Sequence, residues 1–89
     1  MKDAERQERD FLLVRIAWES SREAEQFARE SGNTAESVAA RAHDIVVDEL
    51  LRNDLKPERF TINVTVVGVD AVDVSVVEKD AVTLLGEQA

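Results

Sequence analysis

TINVTVVGVDAVDVSVV, residues 61–77, holds eight of the thirteen valines in an 89-residue chain. In 60–69, Phe60, Ile62, Val64 and Val66 alternate with Thr61, Asn63 and Thr65. In 72–78, Val72, Val74 and Val76 alternate with Asp73, Ser75 and Val77. Period two is the pattern of strands with one buried face. The stretch therefore predicts an antiparallel hairpin whose valines need a cover. A three-residue connection, Val69-Asp70-Ala71, sets Val66 against Val74, Val64 against Val76 and Thr65 against Ser75. A two-residue turn would mix the faces. Beyond a turn at Lys79-Asp80, AVTLL (81–85) reads as a third strand with Val82 and Leu84 inward.

Working outward toward the N-terminus, the cover is predicted to be a helix over 35–53, capped by Asn33 or Thr34 with Glu36 three residues past Asn33. Ala35, Val38, Ala39, Ala42, Ile45 and Val46 form its apolar stripe, flanked by Leu50. Arg41, Asp44, Asp48 and Arg52 support an exposed side at helical spacings, and Pro57 stands beyond its end. Ala40, Val47 and Leu51 make a second apolar strip roughly opposite the first. Either the first helix or the tail covers that strip, or a second chain does. Glu49 falls near the centre of the core stripe by angle, at the helix end, where it can reach outward.

The run FLLVRIAW (11–18) is apolar on every side. Ser20-Ser21-Arg22-Glu23 fits an S-x-x-E capping box, and Gly32 suits a helix C-terminus. These marks predict a strand over 11–18 and a helix over 21–31. The alternative is one long helix from 3 to 31. The fold class is α+β with two layers, two helices on one face of a small antiparallel sheet. Its order is β-α-α-β-β-β, or α-α-β-β-β if residues 11–18 are helical. Residues 1–9 form a charged tail or frayed helix, 10–86 a single domain, and 87–89 a C-terminal tail.

Eleven basic and nineteen acidic residues give a net charge of −8. That surface repels phosphate backbones and anionic lipid, so nucleic acid and membranes are poor partners. Eight Arg to three Lys, with abundant acids, suits a GC-rich genome, a salty cytoplasm or an engineered surface. There are no cysteines, which removes disulfides and thiolate chemistry. MKDAERQERD has no apolar leader core, so a cytoplasmic location is expected.

His43, beside Asp44, is the single imidazole. With Glu49 it is a candidate polar site, yet no H-E-x-x-H spacing, G-x-S-x-G elbow, calcium loop or phosphate-cradling glycine run accompanies it. No cofactor or metal is implied. The sequence points instead to a non-catalytic interaction, assembly or regulatory module acting as a homodimer. Its contact residues are expected among Ala40, Val47, Leu51, Val67, Val69 and Val77, which lie off the inward sets. One alternative is an acidic decoy of a basic, nucleic-acid-binding surface, as some inhibitors and antitoxins are. Others are a small oligomeric enzyme or ligand-binding domain with its site between subunits, and a designed chain without a biological role.

Overall fold

A computed structural model describes residues 2–30, 32–68 and 71–79, with side chains from residue 8 onward. Helix α1 spans Lys2–Ala28 and helix α2 spans Ala35–Arg52. A short 3-10 turn at Pro57–Arg59 leads into strand β1, Phe60–Val66, which pairs antiparallel with strand β2, Val72–Glu78. β2 lies against α1 and β1 against α2. The architecture is the expected α+β one, two helices packed on one face of a small antiparallel sheet. Among the described residues the sheet has two strands; the third strand expected at 81–85 lies outside them.

Residues 11–18 are helix, not strand. The reason is a stripe that runs straight through the supposed break: Leu13, Ile16, Ala17, Ser20, Ala24 and Ala28 are all buried. Their spacings of three and four residues put them on one helical face. Ser20 belongs to that face and not to a cap. Its hydroxyl is fully enclosed and has no hydrogen-bond partner. Ser21 donates its hydroxyl to the Trp18 carbonyl at 2.7 Å, the local bond a serine makes inside a helix when it does not start one. The charged segment from Lys2 is part of the same helix.

Around Gly32 the chain turns into α2. Gly32 sits at φ +87°, a left-handed backbone that a Cβ would strain. Asn33 donates its side-chain amide to the carbonyls of Phe27 and Glu30, satisfying the end of α1. Thr34, not Asn33, caps α2. Its Oγ1 accepts from the Ser37 amide at 3.1 Å, and Ser37 Oγ accepts from the Thr34 amide at 3.0 Å. Ser37 thus plays the reciprocal role expected of Glu36, which stays exposed. At the other end Asp54 adopts φ +62°. Its amide donates to Leu51 and that of Leu55 to Leu50, at 3.1 and 2.9 Å. This pair of bonds is a Schellman motif. It delivers Leu55 onto the core and sends the chain into β1.

The hairpin pairs Ile62 with Val76, Val64 with Val74 and Val66 with Val72. The faces are those the alternation predicts, with Thr61, Asn63, Thr65, Asp73 and Ser75 exposed. The register differs by two residues. Val67 donates its amide to the Ala71 carbonyl at 2.8 Å, so the three-residue connection is Gly68-Val69-Asp70 and begins one residue earlier than expected. A shift of two keeps each side chain on its face, which is why the pattern alone does not distinguish the registers.

Two clusters form the core. Leu13, Ile16, Ala17, Val46, Leu50, Phe60 and Val76 make one. Ala24, Ala28, Val38, Ala42, Ile45 and Val72 make the other, and Val74 borders both. Leu50→Ala should cost about 2–5 kcal/mol in urea unfolding, as for a large side chain truncated in a closed site. Ser20→Ala should instead raise stability by about 1 kcal/mol, because it removes an enclosed hydroxyl that bonds to nothing.

Candidate interaction surface

The phase of the β ladder determines what each sheet edge offers. Lys79 donates its amide to the Arg59 carbonyl at 2.9 Å, and Val67 donates to Ala71. In an antiparallel ladder bonded and non-bonded pairs alternate. Odd-numbered residues of both strands therefore bond inward. The peptide groups of Ile62, Val64 and Val66 face the free edge of β1, and those of Val72, Val74 and Val76 face the free edge of β2. One of these is occupied: the Val72 amide donates to Glu25 Oε2 at 3.1 Å.

Each edge is flanked by an apolar side of a helix. Beside β1, His43 and Val47 of α2 line a groove of about 400 Å³ with Pro57, Phe60, Thr61 and Ile62. Val47 is half-buried and Ala40 exposed, while Leu51 is 58% exposed. The strip of Ala40, Val47 and Leu51 is therefore not covered by α1, which packs on the other side of α2. Val77 is exposed on the outer sheet face opposite Thr61. Val67 is exposed at the far end of the hairpin, and Val69 lies outside the described residues. Of these candidates the structure places Val47 in the groove at the start of β1, Val77 on the opposite face of the sheet and Val67 apart from both.

Beside β2, Phe11, Val14 and Trp18 of α1 are 77%, 67% and 59% exposed. They border an open groove of about 590 Å³ with Leu12. A second groove of about 360 Å³ runs between Leu13, Val14, Ala17 and Trp18 and the β2 residues 73–76. The Arg22 guanidinium stands 5.0 Å from the Trp18 ring centroid, a cation–π contact that leaves most of the indole open. These three residues are absent from the sequence-derived candidates. Their spacing of three and four is a helical stripe, visible as such once 11–18 is read as helix.

The two polar candidates are not brought together. Six residues apart on α2, they point about 120° away from each other. His43 is exposed. Glu49 pairs with Arg52 at 3.3 Å, its side chain 25% exposed, so it reaches the rim and is not enclosed. Among the described residues no three His, Cys, Asp or Glu side chains cluster as a metal site, and no helix is long and apolar enough to cross a membrane. On the outer side of α2, Asp44 and Asp48 are interleaved with Arg41 and Arg52, which breaks up any continuous acidic row. Comparison with protein-family models, curated proteins and solved structures returns no match.

Glu25 is the one side chain that caps a described free-edge amide. Glu25→Ala should speed hydrogen exchange at the Val72 amide about tenfold, the loss of one charge-assisted bond. Exchange at Asp73 and Ser75, which bond inward to β1, should change much less.

Proposed function

We propose that this chain is a non-catalytic interaction module that works as a homodimer, in the cytoplasm, in an assembly or regulatory role. The observation that carries this reading is the free β1 edge lying beside an uncovered apolar strip on α2. Unpaired peptide groups next to exposed Leu51 and half-buried Val47 are a surface that a second strand and a second helix satisfy together.

A twofold axis fits the surface. Antiparallel pairing of β1 with its copy extends the sheet, and the same operation places Val47 and Leu51 of one protomer against those of the other. Such a contact is isologous and closes on itself, so it stops at two chains. The energetic motive is size: 89 residues bury a modest core, and a domain with little stability to spare gains it from a partner by mass action. His43 and Glu49 take no chemical role in this reading; His43 stands at the rim of the interface.

Light scattering should give twice the 9.9 kDa chain mass. Leu51→Asp, at an exposed position where folding tolerates charge, should return the protein to one chain mass with its helical circular dichroism intact. A single chain mass for the unaltered protein at every concentration would overturn the proposal. So would a dimer that persists when Val47→Asp is added to Leu51→Asp in a folded chain.

A further inference from the structure

We draw no further inference here: the strongest candidate, the apolar groove that Phe11, Val14 and Trp18 of α1 border beside the outer edge of β2, carries nothing because nothing in the structure shows what covers it.

Discussion

Everything in this fold depends on covering one face of one hairpin. Ile62, Val64 and Val66 on β1 and Val72, Val74 and Val76 on β2 present branched side chains to the same side. A two-stranded ribbon alone does not hold its shape in water. Two helices supply the cover, Val38, Ala42, Ile45, Val46 and Leu50 from α2 and Leu13, Ile16, Ala17, Ala24 and Ala28 from α1. Neither layer buries its apolar surface without the other. The caps at Thr34 and the reversal at Asp54 matter because they set the length of α2 and aim the chain back beneath it.

The same arrangement explains why apolar surface is left over. A narrow sheet under two helices is overhung on both sides, and each overhang carries a stripe: Ala40, Val47 and Leu51 on one, Phe11, Val14 and Trp18 on the other. Each lies beside a row of unpaired peptide groups, so the surfaces suited to association lie at the two sheet edges.

Much of this was legible in the residues. The stripe and ends of α2, the inward valines and the two-layer class follow from periodicities of 3.6 and two and from local capping chemistry. Three features were not. Ser20 reads as a helix start because serine usually competes for backbone bonds. Here the residue sits on the buried face of α1 with its hydroxyl enclosed, and the helix runs through. That misreading made 11–18 a strand and hid the stripe of Phe11, Val14 and Trp18. The hairpin register slipped by two because such a slip preserves every face and only the loop bond from Val67 to Ala71 decides it. Glu49 and His43, each a polar candidate in the sequence, are separated by the helical turn.

The most direct test of the central claim is a set of proton–proton nuclear Overhauser contacts in the labelled full chain. Non-bonded antiparallel pairs bring their Hα atoms close, so strong Hα–Hα contacts should link Ile62 to Val76 and Val64 to Val74. Val76 methyls should contact the Leu13, Ile16 and Leu50 cluster. Helical shifts across 60–78, or a paired hairpin whose valine methyls meet no side chain of either helix, would contradict the account.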